Sequence, residues 1–184
     1  MSKSHIFSLL LASIYLSSCI RMGDNGYQQL SDSQKSKIVT CTSPIDSLCY
    51  DGNIYLVSIE QMREHVNRHK TLVIYEFGAY CHGDNCISPQ MAESICREKG
   101  YDFCLLLDGY DYLLQFPATK VPVLAPNPSS YGLKPTKSCI ERMLRELSGN
   151  KLGKDDYGRF YVFEGGQYVS NLNSLKTLGN AGAQ

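Results

Sequence analysis

From residue 53 onward the hydrophobic positions change period several times, and each change marks an element. Residues 53–57 (NIYLV) have the apolar, β-rich makeup of a short strand. Ser58 and Gln61 then stand at capping-box spacing, and Ile59, Met62, Val66 and His69 share one face of a helix running to about Lys70. Residues 71–77 (TLVIYEF) are β-branched and aromatic and predict a buried strand. Residues 78–87 (GAYCHGDNCI) break the pattern; Ser88-Pro89 can cap and start a helix to about Lys99, and Gly100 can stop it. Residues 101–107 (YDFCLLL) are another strand, 108–120 are irregular or a short helix, and 121–125 (VPVLA) are a short strand opening with a proline. Ser138 and Glu141 form a second capping box, before a helix that carries Ile140, Met143, Leu144 and Leu147 and ends at Gly149. Residues 160–164, Gly165-Gly166 and 167–170 read as a hairpin, with a short helix from about Asn173. This alternation predicts one α/β domain with a mixed sheet flanked by helices.

The N-terminus follows a different pattern. Lys3 and His5 form a weakly basic head, residues 6–16 are apolar apart from Ser8 and Ser13, and small residues lead to Cys19. Those three parts make a secretory signal peptide, and the apolar run falls short of the about 20 residues that span a bilayer. Leu16-Ser17-Ser18-Cys19 resembles a lipobox, the lipidation signal of bacterial lipoproteins. The resemblance implies cleavage before Cys19, lipid on its sulfur and amine, and a stable membrane anchor, because each buried CH₂ contributes about 0.8 kcal/mol. It also implies a cell-envelope location; Ile20, where Asp would favour the inner membrane, leans to the outer membrane. A plain secretory signal with a chance cysteine is the alternative. Residues 1–18 are therefore expected to be the signal, 19–40 a flexible polar tether, and 41–184 the domain.

Composition narrows the function classes. The 166 residues after the signal suffice for one core, and 18 basic residues balance 18 acidic ones, so there is no basic field for nucleic acid. There is no Gly-rich phosphate loop and no Ser-His-Asp signature. The eight cysteines are Cys19, Cys41, Cys49, Cys81, Cys86, Cys96, Cys104 and Cys139. An exported chain meets oxidising conditions, so several can pair; with Cys19 lipidated seven remain, an odd number that leaves at least one thiol without an internal partner. Cys96 and Cys104 flank a helix end and a strand and read as buried thiols.

The order of elements, together with TLVIYEFGAYCHGDNC, is similar to the thioredoxin fold. In that family an aromatic ends a buried strand, a second aromatic follows, and the nucleophilic cysteine comes next; Phe77, Tyr80 and Cys81 match those places. The family's later cis-proline facing the cysteine pair matches Val121-Pro122. The resemblance implies a thioredoxin-like mixed sheet with an inserted helical segment before the C-terminal hairpin. It implies a thiol:disulfide oxidoreductase acting on thiols or disulfides of exported proteins. Cys81 would attack, Cys86 would resolve the mixed disulfide, Pro122 would shape the substrate groove, and no cofactor would be required. The sequence departs from the family's usual CxxC, since four residues separate Cys81 from Cys86, and about thirty residues with their own helix precede the hairpin. The alternative is a redox-inactive binding or assembly lipoprotein whose cysteines are structural.

The chemistry of the loop depends on where the next helix starts. A thiol attacks as thiolate, and a helix N-terminus lowers its pKa. A helix starting near His82 would activate Cys81; one starting at Ser88 would do little for it. Two sets of residues have metal-ligand chemistry. His65 and His69 have i, i+4 spacing, but no third ligand is indicated by the sequence, and Cys81, His82, Asp84 and Cys86 are crowded for a tetrahedral ion. No metal is therefore expected.

Overall fold

The computed structural model describes residues 27–78, 87–110, 113, 119–131, 137–153 and 158–178. Cys19, Cys81 and Cys86 lie outside the described residues, as do the signal peptide and the first part of the expected tether.

The strands are β1 (Ile38–Thr40), β2 (Ile54–Val57), β3 (Thr71–Phe77), β4 (Asp102–Leu107), β5 (Val123–Pro126), β6 (Phe160–Glu164) and β7 (Gln167–Leu172). They form one mixed sheet in the order β1-β2-β5-β4-β3-β6-β7. The first five are mutually parallel, whereas β6 runs antiparallel to β3, and β7 antiparallel to β6. The helices are α1 (Asp32–Lys35), α2 (Ile59–Arg68), α3 (Pro89–Glu98) and α4 (Lys137–Leu147). The expected α/β class and mixed sheet are thus observed, with α4 lying before the C-terminal hairpin.

The topology dictates which face each helix covers. The chain crosses from β2 to β3 in one direction through α2, then returns from β3 to β4 through α3. Right-handed crossovers in opposite directions must use opposite faces of the sheet. The core divides accordingly. Val73, Tyr75 and Phe77 of β3 point to one side with Leu105 and Leu107, where Ala92 and Cys96 of α3 pack. Leu72 and Ile74 point to the other with Leu106 and Leu124, under Ile59, Met62 and Val66 of α2 and Ile140, Met143 and Leu144 of α4. Period-2 alternation in the strands supplies both layers, and β3 is buried on both faces.

Several boundaries follow from local chemistry. Ser58 caps α2 by accepting from Gln61 N, while the Gln61 side chain accepts from Ser58 N, as expected. Gly165 and Gly166 have φ of 52° and 81°, so the hairpin turn uses two left-handed positions that glycine occupies without strain. The helix expected from Asn173 is a single 3₁₀ turn, Leu175–Thr177, capped by Ser174. Helix α4 already includes Lys137, so Ser138 stands inside it rather than capping it.

The tether expectation needs correction over its second half. Ser31 and Gln34 form a capping box at the start of α1, Leu30 is buried in the core, and Ile38–Thr40 pair with β2. The Ser-x-x-Gln spacing and the β-branched Ile38-Val39 pair carry that structure within a polar stretch. The folded part therefore begins no later than Tyr27.

Candidate functional site

The carboxyl end of β3 delivers the chain to the cysteine loop. There Asp108 N donates to Phe77 O at 3.1 Å, and a Cβ on Gly78 would lie 2.6 Å from Asp108 Oδ2, so the strand end fits closely against the start of the next connection. Beneath it Glu76 is buried and accepts from the Tyr161 hydroxyl at 2.9 Å. Where the described chain resumes, the Tyr75 hydroxyl donates to Ile87 O at 2.8 Å. Ser88 caps α3, whose first residue is Pro89. The helix thus begins eight residues beyond Cys81 in sequence, the alternative in which its N-terminus does little for that thiol.

Pro122 does not occupy the position expected of it. No cis peptide bond occurs among the described residues, so the Val121–Pro122 bond is trans. Pro122 precedes β5, and Val123 is in register with Leu105, which pairs with Tyr75. Pro122 is therefore level with the middle of β3 and separated from it by β4. It lines a cavity with His65 and His69, near the opposite end of β3 from Phe77. The physical reason is direction: β5 runs parallel to β3, so a residue leading into β5 approaches from the amino side of the sheet.

That amino-side cavity, of about 220 Å³, combines Asp46, His65 and His69 with apolar walls. It lies between the C-terminal turn of α2, a 3₁₀ turn at Ile45–Ser47, and the start of β4 and β5. Ile45 is buried and anchors the turn that carries Asp46. Helical spacing puts His65 and His69 side by side, with ring centroids 4.6 Å apart. His65 Nδ1 lies 2.6 Å and His69 Nε2 3.0 Å from Asp46 Oδ1. The other carboxylate oxygen of Asp46 accepts from Arg68 at 3.1 Å, and Arg68 also pairs with Glu64. On the outer side His69 Nδ1 lies 2.8 Å from Asp102 Oδ2.

These contacts move the ionisations in opposite directions. Burial pulls the His65 imidazole below its usual pKa, outweighing the opposing hydrogen bond to Asp46. Burial also acts to lower His69, but Asp102 and Asp46, one at each ring nitrogen, raise it on balance. Desolvation alone would raise Asp46; the hydrogen bonds from His69, Arg68 and His65 prevail and hold its carboxyl at about 2. At neutral pH the cluster thus holds an ionised Asp46 facing two imidazoles of unequal basicity.

Cys104 lines the same cavity but is not an activated thiol. Burial pushes it up to about 12, with the charge of Asp46 acting in the same direction, and burial likewise pushes Cys96 to about 12. Both are buried, as their sequence context predicts, and Cys41, Cys49, Cys96 and Cys104 are all free thiols. No disulfide staples the described residues.

The sequence supplied the His65–His69 pair and withheld its partners. Asp46 is 19 residues before His65, on a turn with no motif, and Asp102 is 33 residues after His69 at a strand start. No helix among the described residues is long and apolar enough to cross a membrane. No protein-family model matches the chain, and neither a curated protein nor a solved structure matches it.

Proposed function

We propose that this chain is an exported, lipid-anchored binding protein of the cell envelope, built on a thioredoxin-like arrangement but not used for thiol:disulfide exchange. The lipobox-like ending at Cys19 supports the anchor. Support for the thioredoxin-like arrangement is the run β4-β3-β6-β7, with a parallel crossover through α3 on one side of β3 and an antiparallel hairpin on the other.

The observation that carries the binding reading is the place of Pro122. The resemblance implies a cis-proline facing the cysteine pair, and Pro122 instead lines the amino-side cavity and has a trans bond. The start of α3 at Pro89 removes the second support, since a helix N-terminus is what would activate Cys81. What the domain does offer is a preformed concavity with a few convergent polar groups and apolar walls, the usual makeup of a ligand site.

The oxidoreductase reading retains one specific observation: the loop bearing Cys81 and Cys86 issues from a strand buried on both faces, a rigid mount for a reactive group. Reduction of a protein disulfide by the mature protein, under a chemical reductant, separates the two readings. The expected rate is that of the Cys81→Ser/Cys86→Ser variant. A rate well above that variant, lost on replacing Cys81 alone, would restore the oxidoreductase. Fatty-acid labelling tests the anchor: label present on wild type and absent from Cys19→Ala is the expected pattern, and equal label on both excludes it.

A further inference from the structure

We infer that Asp46, His65 and His69 form a binding site for a divalent transition-metal ion of zinc-like preference, with Asp102 as a positioning residue and one coordination position facing the amino-side cavity. This goes beyond the binding reading above and stands on different residues from the cysteine loop.

The geometry supplies the first argument. One nitrogen of each imidazole and one oxygen of Asp46 converge, and all three donor atoms lie within 4.8 Å of one another. Both imidazole nitrogens are directed at the same atom, Asp46 Oδ1, at 2.6 and 3.0 Å. Around a tetrahedral ion with bonds of about 2.0–2.1 Å, donor atoms stand about 3.3 Å apart. Widening the His65 contact by about 0.7 Å and the His69 contact by about 0.3 Å admits the ion. Two features leave room for this adjustment: His69 is the C-cap of α2, not an interior helix residue, and Asp46 sits on an exposed short turn.

The second argument is the shell behind the ligands. A histidine that binds metal through one ring nitrogen commonly donates its other N–H to a carboxylate, which fixes the ring and raises its basicity. His69 is held this way, with Nε2 turned inward and Nδ1 against Asp102 Oδ2. Asp46 is similarly oriented, since Arg68 engages Oδ2 and leaves Oδ1 for the centre. The guanidinium charge opposes a cation to some extent, but it binds the far oxygen and its side chain is 45% exposed, so water screens it.

Donor type then selects the ion. Calcium and magnesium take oxygen ligands, whereas two imidazoles and one carboxylate suit zinc and its first-row neighbours. Three protein ligands, with space beside them, also match the open type of zinc site in preference to the closed structural type. The space is the cavity walled by Phe103, Pro122 and Leu124, which accommodates a water or one polar group of a ligand.

The experiment uses the detergent-solubilised mature protein carrying Cys81→Ser and Cys86→Ser, so that loop thiols do not compete for metal, with Co²⁺ and Zn²⁺ as probes. The expected result is one equivalent of Co²⁺ with visible d–d absorption and without an intense thiolate-to-cobalt band, displaced by Zn²⁺. His65→Gln and Asp46→Asn abolish this uptake, while Asp102→Asn weakens it by about ten- to a hundred-fold. Asp46→Asn is isosteric and Asp102 is exposed, so circular dichroism on these two variants keeps loss of metal distinct from loss of fold. No saturable uptake by the folded protein, uptake unchanged in Asp46→Asn, or a dominant thiolate band each overturns the inference. None of these outcomes bears on disulfide reduction, which is read separately.

Discussion

The two ends of the sheet differ in how their polar groups are assembled. At the carboxyl end, reactive residue types are crowded along one short stretch of chain, 81–86, following a strand that any pattern analysis finds. At the amino end, four separate segments contribute Asp46, the His65–His69 pair, Asp102 and Pro122. The first end has a motif, but Pro122 lines the cavity at the other end and α3 starts only at Pro89. The second has no motif, and its groups meet at hydrogen-bonding distance. Density of reactive residues along the chain is therefore a poor guide here to where the fold gathers chemistry.

The comparison is broken most decisively by thiol reactivity, where the largest effect is expected. Alkylation needs thiolate, and a thiol at about 12 is ionised about three-thousand-fold less at neutral pH than an ordinary one at about 8.5. In the native protein Cys49, which is exposed, should label quickly, whereas Cys96 and Cys104 should label only on unfolding. Below pH 12 any residual native labelling of Cys104 should grow about tenfold per pH unit, as the thiolate fraction does. Peptide mapping after timed labelling checks this. Fast labelling of Cys104 at pH 7 would make the amino-side cavity a thiol site and reverse the assignment of roles.

The close packing at the carboxyl end is next in size. Gly78→Ala pushes a methyl group into the Asp108 carboxylate and should cost about 1–3 kcal/mol of stability. A double-mutant cycle with Asp108→Ala in denaturant melts should show recovery of much of that loss. Strict additivity would mean that Gly78 does not pack against Asp108 in solution. Tyr161→Phe leaves Glu76 with one fewer buried donor and should cost on the order of 1–3 kcal/mol. Parallel denaturant melts of the variant and the wild type measure it.

The smallest effect should come from Arg68→Ala at the amino end. Its pairs with Asp46 and Glu64 are partly exposed, and such pairs contribute about 0–1 kcal/mol. A thermal shift beyond that range would show the histidine–aspartate cluster to be a major brace of the fold, not a site that tolerates adjustment.

Much of the fold was legible because its signals are local. The Ser58–Gln61 box, the β-branched and aromatic 71–77 strand, Ser88-Pro89 and the Gly165-Gly166 turn each depend on residues within a few positions of one another, and each element formed where they indicate. The Ser31–Gln34 box is the same local signal set in a polar stretch, where few apolar positions mark the helix that it starts.

The sequence alone determined the α/β class, the two-sided core of β3 and the i, i+4 placement of His65 and His69, since backbone periodicity fixes which side chains share a face. Tertiary structure decided strand order and direction. Because β5 inserts between β2 and β4 and runs parallel to β3, Pro122 faces the histidines and not the carboxyl end of β3. The same packing brought Asp46 and Asp102 to His69 across 23 and 33 residues of chain. Contacts of that span are set by how whole elements bury their apolar faces, and the short-range patterns of a sequence carry no record of them.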